Sequence, residues 1–192
     1  MLEPYDAPAY AEGRISGLVG LSPSDPRRLG AEPAAALRAQ LSQIERYADQ
    51  VASLGLPLSL NHNDLHQNNV FSVDDRLRFF DFGDALLTQP LAVLLVPLQM
   101  LGRALGAGHA DRRLRRVADA ALEVWSDLAP ASELRAALPA ALELGRLVRV
   151  ECWLRCSVSA MDADLAEWGE AAPGWLKTLL PYFGYVIDFA DQ

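Results

Sequence analysis

Two apolar runs, Asn69 to Val73 and Leu77 to Phe82, flank an Asp74-Asp75 pair, and this arrangement predicts a β-hairpin closed by a tight turn. The run Leu56 to Leu60 leads towards it through a loop at 61–68. In an antiparallel hairpin the start of one strand lies beside the end of the other. Asn69 and Asp81, twelve residues apart, are therefore expected side by side at its open end. Polar residues crowd the same end: His62, Asp64, His66 and Asn68 come before the hairpin and Asp84 after it. A fold built on this stretch must bring those groups together.

Most of the remaining chain reads as helix. Pro33 sits where a first-turn proline belongs, and Leu37, Leu41, Ile44, Tyr47, Ala48, Val51 and Leu54 recur at helical spacing until Gly55, which predicts a helix over 32–54. Further helical patterns cover 90–106, 111–128, 132–161 with Pro139 inside it, and 173–188. Leu142, Leu144, Leu147, Val148, Val150, Cys152, Trp153 and Leu154 occupy several faces, the pattern of a helix enclosed by its neighbours. Residues 1–30 hold eight prolines and glycines, and such punctuation predicts an irregular leader over 1–31 with at most one short helix. The expected class is mainly α with a small β-hairpin. Its organisation is a leader followed by a helical unit over 32–192, with the catalytic loop and hairpin at 56–85.

With 51% hydrophobic and 22% charged residues, the chain has enough apolar material for one globular core. A net charge of -8 opposes nucleic acid and anionic membrane unless a basic patch is segregated. The one candidate patch, Arg112, Arg113, Arg115 and Arg116, is balanced by Asp111, Asp119 and Glu123 and reads as a solvated helix face. Cys152 and Cys156 stand four residues apart on a helix, which points them away from an ordinary disulfide. They read as reduced core thiols, and a zinc site would need two further ligands where His109 is the only histidine outside the loop. No cleavable apolar signal opens the sequence, and the run Leu91 to Leu101 is interrupted by Pro97 and Gln99. A soluble, cytoplasmic protein is expected, with no nucleic-acid or membrane partner.

The loop residues fall into a chemically specific pattern. His62, Asp64, Leu65 and Asn69 match H-x-D-L-x-x-x-N, and Asp81-Phe82-Gly83 supplies D-F-G after it; together these are the catalytic-loop and metal-ligand patterns of phosphoryl transfer. That chemistry needs a group to orient the acceptor hydroxyl, metal ions to neutralise phosphate charge, and fixed geometry. Asp64 is the candidate base, the Asn69 amide oxygen and the Asp81 carboxylate are hard ligands suited to Mg²⁺, and His62 braces the loop. Gly83 is expected to allow a tight turn past the metal ligand. His66, Asn68 and Asp84 either touch phosphate, metal or substrate or shape the loop. Taken singly, each residue would read as an ordinary turn or core residue.

His-Asn-Asp-Leu-His-Gln-Asn-Asn-Val and Phe-Asp-Phe-Gly-Asp-Ala resemble the catalytic and metal-binding motifs of the aminoglycoside phosphotransferase and choline kinase superfamily. His66 stands where protein kinases usually carry a lysine, and no Ala-Pro-Glu signature follows Gly83. The resemblance covers about residues 32–192. It implies the helical carboxy-terminal lobe of a protein-kinase-like fold, ATP and Mg²⁺ as cofactors, a small-molecule hydroxyl as acceptor, Asp64 as base, and Asn69 and Asp81 as Mg²⁺ ligands.

Two departures accompany it. The sole lysine, Lys177, lies after the metal motif, and Gly13, Gly17 and Gly20 do not match G-x-G-x-x-G. The nucleotide-clamping amino-terminal lobe is therefore expected to be absent, which predicts a truncated or partial chain. Family members also commonly follow D-F-G with Asp-Pro and then an aspartate that steadies the loop, where this chain has Gln89-Pro90 and then Val93. The alternative expectation is a non-catalytic binding module that keeps the fold. The acidic residues Glu123, Asp127, Glu143, Glu151, Asp162, Asp164, Glu167 and Glu170 and the four tryptophans offer candidates for a cationic substrate. Solvated helix faces and core packing are their simpler roles.

Overall fold

A computed structural model describes residues 1–108, 111–158 and 160–181. The chain starts with a one-turn 3₁₀ helix, Pro4–Asp6, that runs into helix α1, Ala7–Val19. This corrects the expectation of an irregular leader over 1–31. Pro4 and Pro8 fall in first turns, where a missing N–H costs nothing. Gly13 and Gly17 lie on the outer face, while Ala7, Ala11, Ile15 and Leu18 form a buried stripe at helical spacing. Proline and glycine here start and line a helix without breaking it. The leader belongs to the same core as the rest: α1 packs against the helices that follow.

The helix expected over 32–54 is two helices, α2 (Ala31–Arg38) and α3 (Leu41–Ala52). Neither proline nor glycine marks the break. Short bonds from Gln40 N to Leu37 O and from Gln43 N to Gln40 O, both 2.9 Å, tighten the chain there, and the stripes Ala34, Leu37 and Ile44, Ala48, Val51 all remain buried.

Four short strands follow: β1 (Ser59–Asn61), β2 (Val70–Val73), β3 (Arg76–Phe79) and β4 (Leu86–Thr88). β2 and β3 form the expected antiparallel hairpin, with Val70 opposite Phe79 and Val73 opposite Arg76. Asp74 and Asp75 both adopt positive φ, 49° and 58°, the signature of a two-residue turn whose twist suits a hairpin. The pairing of β1 with β4, Asn61 opposite Leu86, was not legible in sequence. Leu2 extends it, donating from its N–H to Leu87 O (3.0 Å) and accepting from Thr88 Oγ1 (2.8 Å).

A 3₁₀ segment, Pro90–Leu94, leads into α4 (Leu95–Leu105), which Gly106 ends in the left-handed region. α5 (Arg112–Leu122) is capped by the Asp111 side chain and passes into a 3₁₀ turn, Glu123–Trp125. Its arginines are solvated or half-buried as expected, and Arg113 pairs with Asp111 at 2.7 Å. α6 (Ala131–Ser157) contains Pro139 and is buried without interruption from Ala140 to Val150, as its many-faced apolar pattern required. It packs against α3 and against α8 (Ala171–Lys177). Between them lies α7 (Asp162–Trp168), which the sequence did not disclose. Of the helix expected over 173–188, residues 182–188 lie outside the described residues, as does His109.

The fold is thus mainly helical with two small antiparallel sheets. Both cysteines are free thiols, Cys152 buried but Cys156 exposed, so only the first is a core thiol. Among the described residues no helix is long and apolar enough to cross a membrane.

Candidate active site

The loop leaving β1 is pinned by its own side chains. His62 is buried, and its Nε2 lies 2.8 Å from the carbonyl oxygen of Phe80. A carbonyl only accepts, so Nε2 carries the proton and Nδ1 is left to receive the Asp64 N–H at a long 3.4 Å. The ring also leans on Phe82, with centroids 4.7 Å apart. His62 thus ties the loop to the end of the hairpin. Asn63, which the sequence did not single out, takes φ of 62°, a conformation asparagine tolerates better than most residues. Its amide donates to Asn61 O at 3.1 Å and to Asp84 O at 3.0 Å.

Asp64 is partly exposed and held at both carboxylate oxygens. Oδ1 lies 3.2 Å from Arg149 Nη2, and Oδ2 lies 3.4 Å from His66 Nε2. His66 Nδ1 accepts from the Asn68 N–H at 3.2 Å, which places the proton on Nε2, facing the carboxylate. This bond makes His66 the cap of the 3₁₀ turn Gln67–Asn69.

Asn69 is buried, and its amide nitrogen donates to Asp64 O at 2.9 Å, with Asp64 Oδ2 at 3.5 Å. That commitment of the nitrogen leaves the amide oxygen as the atom able to ligate a cation. Its main-chain oxygen accepts from Phe80 N at 3.2 Å. With Val70 paired to Phe79, the bond places Asn69 and Asp81 at one end of the hairpin, as the spacing predicted. The tight turn falls elsewhere than expected: Asp81 itself is left-handed, φ 60° and ψ 62°, whereas Gly83 lies in the 3₁₀ turn Phe82–Asp84 and has no positive φ. A Cβ on Gly83 would meet Asp81 Oδ1 at 3.5 Å, an ordinary contact. The residue that needs unusual backbone freedom is the candidate metal ligand, because the chain must reverse as it leaves β3.

Helix α6 grips this assembly from behind. Arg149 Nη1 donates to Asp84 Oδ2 at 2.6 Å and to Asn63 O at 2.9 Å. Arg155 donates to Ala85 O at 3.1 Å and to Gly83 O at 3.0 Å, and Cys152 Sγ to Asp84 O at 3.3 Å. Burial, and after it the nearby Asp84 carboxylate, pushes the Cys152 thiol up to about 12, which keeps it a neutral donor. Arg149 and Arg155 were missed in the sequence. For Arg149 the signal was present: an arginine inside an enclosed apolar helix requires carboxylate or carbonyl partners; Arg155 is exposed and gave none. Val93, where the resemblance implied a loop-steadying carboxylate, is a half-buried part of the 3₁₀ segment before α4; the loop carbonyl of Asn63 is bound by the cation of Arg149 instead.

The acidic residues proposed for a cationic substrate are partly spoken for. Glu143 pairs with Arg146 at 2.9 Å, Glu151 accepts from Tyr10 (2.7 Å) and Arg14 (2.8 Å), and Asp164 accepts from the Met161 N–H. Trp175 lies beneath the Arg149 guanidinium, 5.6 Å from it, and Trp153 stacks on Trp168 at 5.8 Å. An open cleft of about 440 Å³ runs beside the loop between Leu65, His66 and Gln67 and the α4 residues Pro97, Met100, Leu101 and Ala104.

Among the described residues no group of three or more His, Cys, Asp or Glu side chains converges on one point. Asn69 and Asp81 offer two hard oxygen donors, which fits Mg²⁺, an ion that usually takes one or two protein carboxylates and completes its shell with water and substrate phosphate. No protein-family model, curated protein or solved structure matches the chain. The chemistry of the site is accordingly read from its own geometry.

Proposed function

We propose that this chain carries the base and metal-ligand half of an ATP- and Mg²⁺-dependent phosphotransferase acting on a small-molecule hydroxyl. On this reading the helical unit corresponds to the carboxy-terminal lobe of a protein-kinase-like fold, of the aminoglycoside phosphotransferase and choline kinase type, working in the cytoplasm. One observation carries it: a partly exposed Asp64 carboxylate, fixed by Arg149 and His66, stands beside Asn69, which shares a hairpin end with Asp81. Asp64 accepts the hydrogen bond of the acceptor hydroxyl and takes its proton as the oxygen bonds to the γ-phosphorus and ADP departs. Asn69 and Asp81 hold Mg²⁺, which when bound offsets phosphate charge. The cleft between the loop and α4 gives the acceptor molecule a place beside the base. The glycine-rich loop and the phosphate-pairing lysine come, on this reading, from residues other than those that build this site.

A second reading, a non-catalytic module that keeps the fold, draws on the position of the sole lysine, Lys177, which ends α8 well after the metal motif. Phosphoryl transfer from ATP with Mg²⁺, measured on the native protein against amino sugars, choline and related alcohols, separates the two. Turnover that falls at least about 100-fold in Asp64→Ala, with the melting temperature retained, supports the phosphotransferase. Turnover left unchanged in Asp64→Ala would overturn the assignment of the base, and ATP binding without any turnover would favour the module.

A further inference from the structure

The Arg149 guanidinium is buried in the middle of the molecule, yet three of its contacts lie in the loop and in the segment after the hairpin. Nη2 reaches Asp64 Oδ1 (3.2 Å), while Nη1 reaches Asp84 Oδ2 (2.6 Å) and Asn63 O (2.9 Å). The Trp175 ring closes one face at 5.6 Å. Burying a guanidinium costs several kcal/mol unless its charge and its donors are met. Here two carboxylates and a carbonyl meet its charge and the donors at Nη1 and Nη2. A planar fork is the one side-chain geometry that serves two acceptors with fixed direction; a lysine ammonium is a point charge that cannot.

We propose that Arg149 is the positioning residue of the base: it fixes the Asp64 carboxylate by occupying Oδ1, so that Oδ2 is the oxygen that accepts the substrate proton. The inference rests on the reading of Asp64 as base. Three features of the geometry lead to it. The two oxygens of Asp64 have different partners: Oδ1 faces a permanent cation, and Oδ2 faces the His66 Nε2–H and the Asn69 amide at 3.4 and 3.5 Å, contacts long enough to yield to a substrate hydroxyl. Arg149 also fixes the backbone that carries Asp64, through the carbonyl of Asn63, a residue held in the left-handed region. Finally, Asp84 closes the arrangement. Its carboxylate takes Nη1, and its main-chain oxygen takes both the Asn63 amide and the Cys152 thiol. Loop, D-F-G segment and α6 therefore meet at one guanidinium, and Asp84 acts as the counter-charge that aims it.

The test compares the native protein with Arg149→Met and Arg149→Lys, first for retained fold by thermal denaturation, then by two independent readouts. The first is the ¹³Cγ resonance of Asp64, assigned with Asp64→Asn. It should shift or broaden in Arg149→Met, and a folded Arg149→Met with an unaltered Asp64 resonance would overturn the proposal whether or not the protein turns over ATP. The second is steady-state phosphoryl transfer. Because a displacement of about 1 Å can cost about 100-fold in rate, kcat should fall by that order in Arg149→Met while KM for ATP stays unchanged, a split that general loosening of the fold would not give. Arg149→Lys keeps charge and most of the volume but not the fork, so it should fold, and its kcat should lie between the other two. If Arg149→Met does not fold, Arg149→Lys decides alone: wild-type kcat together with a wild-type Asp64 resonance would rule out a positioning role. Absence of turnover in the wild type counts against the phosphotransferase, while the resonance still decides whether Arg149 holds Asp64.

Discussion

Glu143, Arg146 and Arg149 place three charged side chains in the enclosed part of α6, where apolar residues would be the rule. Each has a reason to be there. Arg149 holds the loop, and Glu143 answers Arg146 one turn away. Burial nevertheless raises the Glu143 carboxyl above its ordinary range, with Arg146 pulling only partly in the other direction. A carboxyl whose folded-state pKa is raised favours folding most below its unfolded pKa, and that contribution is lost as pH rises through the folded value. Wild-type stability relative to Glu143→Gln should therefore decline as pH is raised from about 4 towards 7, because the glutamine has no proton to lose. Urea denaturation of both proteins across that range reads the effect directly, and a difference independent of pH would count against it.

Among the elements, α1 departs furthest from what its sequence suggested. Its prolines and glycines imply loop when counted, yet their positions, first turn and outer face, are those a helix accepts. The deciding signal was the stripe Ala7, Ala11, Ile15 and Leu18, which composition hid. Ile15 is 1% exposed, so Ile15→Ala should destabilise the protein by about 2–4 kcal/mol, measured by chemical denaturation; a surface leader would give less than about 0.5 kcal/mol. The hairpin shows the opposite relation. Its register and turn were legible because every interaction that sets them is local: Asp74 and Asp75 lie between the strands they join, and Val70 meets Phe79 across them. What sequence hid was its setting. The α6 contacts that seat the loop join residues 65 and 86 positions apart, and no spacing rule reaches that far.

The whole molecule divides into a buried helical body and an exposed apolar end. Phe71 (48% exposed), Leu77 (64%), Phe79 (48%) and Phe82 (52%) all lie in or beside the hairpin, although apolar alternation ordinarily marks a face turned to a core. Because Val73 and Leu77 are exposed in this fold, Val73→Ser with Leu77→Ser should change stability by less than about 0.5 kcal/mol per site and lower the binding of an apolar fluorescent dye. A loss of several kcal/mol in the double variant would mean that the hairpin is packed in solution.

The sequence alone determined the hairpin, the helical character of the body, and the placement of Asn69 and Asp81 at one hairpin end, since pairing across a tight turn and helical periodicity act between near neighbours. Tertiary structure decided the rest. It set α1 in the core, left the apolar hairpin largely in water, and brought Arg149 to both Asp64 and Asp84. Those outcomes depend on which faces α6 finds available when distant segments pack together, and on the need of a buried guanidinium for two carboxylates and a carbonyl that only the assembled fold supplies.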